Sequence, residues 1–152
     1  MRARAWGAVA AAVVAVVWGG VGYLSTRPTD FHSYRVAAVG SAQSAYTGLV
    51  SGQQASRALA ASRIPPPMAT AMLGDSRSAV AGAQKRLARD APPDERTTAM
   101  RDELAPLLLQ ADAAISGLED AVAHGGAVEL RARADAADPV ADHLRRFVEE
   151  HG

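Results

Sequence analysis

The chain has 152 residues, 49% of them hydrophobic, 21% charged and 5% aromatic, with 16 basic and 16 acidic side chains and no cysteine. That length suits one domain, and 35 alanines with few aromatics favour closely packed helices over a β-sandwich or barrel. The missing thiols exclude disulfide frameworks, thiolate metal sites, cysteine nucleophiles and an acylated lipoprotein anchor, and the zero net charge argues against nucleic acid as a partner.

Arg2 and Arg4 precede a stretch, Ala5 to Thr26, that holds no charged residue. Counted from Ala5 to Leu24 the run is about 20 residues, which at the helical rise spans roughly 30 Å, the thickness of a bilayer's hydrocarbon core. The sequence therefore predicts a cytoplasmic N-terminus over 1–4, a transmembrane signal anchor over 5–24, a linker over 25–30 and an extracytoplasmic domain over 31–152. Arginines before the span and none within it set that orientation, and Trp6 and Tyr23 suit the two interfaces. The alternative is a secretory signal with Ala8 to Val17 as its apolar core and Gly20 and Gly22 as small residues before a cut. No Ala-x-Ala occurs around Gly20 and Gly22, and the apolar run continues through Leu24, longer than a signal core needs, which favours the anchor. Gly7, Ala11, Ala15 and Gly19 recur at four-residue spacing, a stripe that an alanine-rich chain produces readily without helix pairing.

Pro28 and the capping-type residues of Thr26 to Asp30 should end one helix and start another near Phe31. From Phe31 to about Arg63, the positions Val39, Ala42, Tyr46, Leu49, Gln53 and Ala60 follow a three-four alternation, which predicts one long helix. Gly40, Ser44, Gly48, Gly52, Ser56 and Ala60 form a row at i+4 spacing on it, a groove into which another helix can settle. Ile64 to Pro67 breaks the chain, and the second helix, Met68 to about Arg89, carries Leu73, Val80 and Leu87 as a seam. Pro92 and Pro93 end it, and Asp94 and Glu95 open the third helix. Met100, Leu104, Leu107, Leu108, Ala111, Ala114, Ile115, Leu118, Ala121 and Val122 give that helix one broad apolar face, which Gly125 and Gly126 close off. The fourth, Ala127 to Glu150, runs on Leu130, Ala134, Ala137, Ala141, Leu144 and Val148. Pro139 reads as a kink inside it, or Asp138 as the cap of a second short helix, and Pro106 should bend the third. Four such segments with short connections predict an all-α, antiparallel up-down four-helix bundle.

The neutral total conceals two halves. Arg27 to Arg89 holds eight basic and two acidic residues, net +6, whereas Asp90 to Gly152 holds six basic and fourteen acidic, net −8. Facing one another, these halves meet at helix flanks; turned outward, they present a basic face to anionic headgroups and an acidic one to a partner.

A di-metal carboxylate centre needs Glu-x-x-His on two helices, and the chain has none: His124 follows Glu119 by five, while His143 and His151 adjoin Asp142 and Glu150. His32, His124 and His151 fall at helix ends, where a solvated imidazole is usual. Asp135, Asp138 and Asp142 share one stripe of the fourth helix and read as a solvated acidic face. No nucleophile elbow, phosphate loop or dinucleotide fingerprint appears, and the His32–Ser33 pair is a helix start, not a catalytic arrangement. No catalytic, cofactor-binding or metal-binding residue emerges. The expectation is a single-pass inner-membrane protein, held in the lipid bilayer through Ala5 to Leu24, whose outer bundle binds a protein partner without catalysis. A secreted binder of small ligands and a bundle enzyme with an unrecognised polar centre are the competing readings.

Overall fold

The structure, a computed structural model, describes residues 30–152. Five helices make up four rods: α1 (Phe31–Ala60), α2 (Pro66–Arg89), α3 (Glu95–His124), and a last rod divided into α4 (Ala127–Ala136) and α5 (Asp138–His151), with no strand among the described residues. Side-chain contacts fix the directions. Gly48 lies against Ala79 and Gly52 against Leu73, Gln84 reaches Leu108 while Arg77 reaches Ser116, and Arg57 meets Asp135 while Arg35 meets Gly152. Rods consecutive in the chain are therefore antiparallel, and so are the first and the last, as the short connections predict. α1 packs on every other helix, whereas α2 meets only α1 and α3. The stretch expected to cross the membrane, 5–24, lies outside the described residues, as do 1–4 and most of the linker. Among the described residues, no helix is long and apolar enough to cross a membrane.

Local chemistry explains the helix ends. Asp30 opens α1 by accepting from the Ser33 backbone N–H at 2.8 Å, one of the N–H groups that has no partner inside the helix. α1 stops at Ala60, three residues short of the expected end, because the chain turns back on itself there. The Ser62 N–H donates to the Leu59 carbonyl at 2.8 Å and the Arg63 N–H to the Ala58 carbonyl at 2.9 Å, the paired bonds that close a helix through a left-handed residue. That residue is Ser62, at φ 56°. α2 starts two residues earlier than expected, since Pro66 and Pro67 fall in its first turn, where a missing N–H costs nothing. At α3, Asp94 and Thr97 cap reciprocally: the Thr97 N–H donates to Asp94 Oδ1 at 2.8 Å and the Asp94 N–H to Thr97 Oγ1 at 3.1 Å. These bonds hold the Asp94 carboxyl below the usual range, so the cap strengthens the fold above the ordinary carboxylate pKa and fails as pH falls through the lowered one. α3 then runs through Pro106 without ending.

The core lies chiefly at the end where α1 begins. Tyr34, Ala38, Ala42, Ala45 and Leu49 of α1 pack with Val80, Ala83 and Leu87 of α2, Met100 to Ile115 of α3, and Ala141, Leu144 and Phe147 of α5. Two smaller clusters fill the other end: Ala60, Ala121 and Leu130, and Leu73, Leu118 and Ala134. The predicted seams hold, with three adjustments. On α1, Val39 and Tyr46 are half-buried, and Tyr34, Ala38 and Ala45 join Ala42 and Leu49 in the core instead. Leu107, Ala114 and Val122 flank the core half-buried, so the face of α3 is narrower than expected. Phe147, not Val148, takes the last core position of α5, because a three-residue step after Leu144 keeps a side chain on the same face of a 3.6-residue turn as well as a four-residue one does.

The i+4 row on α1 is where the bundle draws tightest. A Cβ at Gly48 would lie 3.0 Å from the Ala79 Cβ and 3.1 Å from the Ser76 carbonyl oxygen, and one at Gly52 would lie 3.1 Å from a Leu73 methyl. The predicted groove is thus filled by α2 along Gly48 and Gly52, while Gly40, at the head of the row, has nothing within 4 Å. Gly40→Ala should therefore raise stability by about 0.5–1 kcal/mol, the helix preference of alanine. Gly48→Ala should lower it by about 1–3 kcal/mol through overpacking. Chemical denaturation of the purified variants measures both, and a stabilising Gly48→Ala would contradict the close approach. Ser62→Gly should likewise raise the melting temperature, by an amount equivalent to about 0.5–1 kcal/mol, because it relieves a left-handed conformation that serine adopts at a cost. An unchanged or lower melting temperature would refute that account of the turn.

Candidate functional site

The densest polar arrangement in the described residues lies where the last rod breaks. Ala137 (φ −86°, ψ −10°) separates α4 from α5, and Pro139 sits in the first turn of α5. Pro139 has no N–H to continue the ladder, so the expected kink shows as a one-residue gap at Ala137, whose backbone stays in the right-handed helical region. α1 supplies the donors. Gln53, 2% exposed, gives its Nε2–H to the Ala134 carbonyl at 2.9 Å and to Asp138 Oδ1 at 2.7 Å. One turn on, the Arg57 guanidinium donates to Asp135 Oδ1 at 2.9 Å and to both oxygens of Asp138 at 2.9 and 3.1 Å. Bonds to Asp138 first and Asp135 second push the guanidinium pKa above its ordinary value, so the group stays charged at any working pH. Asp138 makes no capping bond of its own, although a carboxylate in the first turn suits the helix dipole.

The acidic stripe of the fourth helix is therefore divided. Asp135 and Asp138 turn to Arg57, while Asp142 meets Arg145 on its own helix at 3.4 Å. Arg77 pairs with Glu119 of α3 at 2.7 Å. With Arg57, this is where the basic first half meets the acidic second, at partly exposed flanks where each pair contributes under about 1 kcal/mol. The histidines separate as well. His32 and His124 stand exposed at helix ends. His151 stacks on Phe147 with ring centroids 4.4 Å apart and approaches Glu103 of α3 at 3.2 Å. With Glu150 these form a group whose donor atoms lie within 4.8 Å of one another, at the surface. Its neighbouring groove is lined by His143 and Arg146. Sequence spacing concealed this group because its members come from helices 47 residues apart, Glu103 and Glu150.

Among the grooves on the surface of the described residues, four stand out. The largest, about 540 Å³, runs between α1 and α2 over Gly48 and Ser76, with Thr47, Ser51, Met72 and Asp75 on its walls. A second, about 310 Å³, lies between α2 and α3 beside Leu87 and the exposed Leu109. None of the four brings two buried polar side chains together. The remaining buried polar groups are dispersed: Ser76 donates to the Met72 carbonyl, and the hydroxyls of Tyr34, Ser41 and Ser56 have no partner. Burial raises the Tyr34 pKa.

No family model matches the chain, and no curated protein or solved structure is detectably similar to it.

Gln53 was legible only as a member of the α1 face; a lone amide on an otherwise apolar and small stripe was the signal that it serves a buried acceptor. Gln53→Leu leaves the Ala134 carbonyl without that donor and should cost about 1–3 kcal/mol, while Arg57→Leu, acting on exposed carboxylates, should cost under about 1 kcal/mol. Equilibrium denaturation of the two variants tests that order, and the reverse order would make the exposed ion pair the dominant contact.

Proposed function

We propose that the protein is a single-pass component of the inner membrane, anchored through Ala5 to Leu24, whose bundle lies outside that membrane and binds a protein partner without catalysing a reaction. The observation that carries this reading is the uncharged run behind Arg2 and Arg4, long enough for one bilayer crossing and oriented by the arginines before it. Two features of the bundle support the binding role over catalysis. Its grooves are open to solvent and lack convergent buried polar side chains, which general acid–base or nucleophilic chemistry requires. Its groove between α2 and α3 is lined by Leu87, Ala88, Ala105 and the exposed Leu109, a contiguous apolar surface of the kind a partner covers.

Membrane fractionation with N-terminal sequencing tests the anchor. A carbonate-resistant product that retains Arg2 is expected, together with a reporter fused at the C-terminus that is active only outside the cytoplasm. A soluble product starting near Tyr23 would replace the anchor with a cleaved signal and a secreted bundle. A reporter active only inside the cell would overturn both.

A further inference from the structure

α4 is the shortest of the described helices. It has ten residues, short of the roughly 12–15 at which an isolated helix becomes even marginal in water, and it buries only Leu130 and Ala134. Both of its ends are interruptions: Gly125 and Gly126 precede it with no side-chain cap, and Ala137 and Pro139 follow it. The core divides at the same place. Ala137, Ala141, Leu144 and Phe147 belong to the large cluster, whereas Leu130 and Ala134 sit in the two small ones at the opposite end. What fastens α4 to α1 is a set of side-chain bonds: Gln53 to the Ala134 carbonyl, Arg57 to Asp135, and Arg131 Nη2 to the Ala60 carbonyl at 3.1 Å.

We propose that α4 is a lid, which swings about Gly125–Gly126 and Ala137 while α1, α2, α3 and α5 stay packed, and that Gln53 is its latch. Neither buried side chain of α4 belongs to the large cluster and its helical hydrogen bonding lapses at both ends, so α4 can open without disturbing that cluster, whereas α5, through Ala141, Leu144 and Phe147, cannot. Opening uncovers an apolar cleft with Leu73, Leu118 and Ala121 at its floor and breaks the Gln53 bond to the Ala134 carbonyl, leaving the amide on Asp138 Oδ1 of α5. In this structure α4 covers the cleft, and of the floor residues only Leu73 borders a surface groove, the one it shares with Pro66, Pro67 and Val122.

Hydrogen exchange of the whole chain tests this directly. Amides 131–136, bonded within α4, should exchange about tenfold or more faster than amides 142–151 of α5 and 104–118 of α3. Exchange of α4 and α5 together, at one rate, would overturn the lid. The absence of native cysteine allows a second reading that does not depend on the first: Ala134→Cys and Ala111→Cys each introduce one thiol at a position that is 0% exposed. Under native conditions the thiol at 134 should be labelled at least tenfold faster than that at 111, since only the former is reached by local opening. Equal rates mean that both are reached by global unfolding alone, and the proposal falls. Adding Gln53→Leu should widen the ratio of the two rates; a ratio left unchanged would show that Gln53 is not the latch.

Discussion

The architecture depends on how closely α1 and α2 can approach. A chain with so few aromatics cannot fill a wide interhelical space, so contact between small groups must replace bulk. Gly48 and Gly52 make that possible, because the backbone of α1 there meets Ser76, Ala79 and Leu73 with no side chain between. Alanines at 38, 42 and 45 extend the same economy of volume into the main core. Leucines from α3 then close the remaining gap, and the last rod covers the side that α2 does not reach.

Much of this was readable from spacing alone. The three-four seams of the second and third helices, the proline and glycine stops and the α1 small-residue row all have physical causes that act within a few residues of one another. What escaped the reading depended on distant partners. Ala61 gave no hint that α1 would turn back through Ser62, since a left-handed serine there is sustained by the carbonyls of Ala58 and Leu59. The form the break at Pro139 takes could not be read from the proline alone, because it is Gln53 and Arg57 that donate to the acceptors on both sides of it. Likewise, Asp135, Asp138 and Asp142 looked alike as a stripe, and only the placement of Arg57 distinguishes the first two from the third.

Functionally, the described residues contain polar clusters that are satisfied and surfaces that are open. Gln53 and Arg57 serve the break, and the imidazole of His151 is shared with Glu103 at the surface. The charge asymmetry of the two halves is partly consumed at Arg57 and Arg77, where it helps align the rods.

The central place of α1 has a mechanical corollary. It is the helix that leaves Asp30 and the one on which all the others rest. A torque or a pull delivered through residue 30 has no peripheral helix to absorb it: the glycine-lined contact would grind against α2, and the Gln53 and Arg57 bonds would be dragged with the same rod. Strain entering at one end of the molecule would therefore arrive, undiluted by any intervening joint, at the break some 23 residues, or about 34 Å of helix, away.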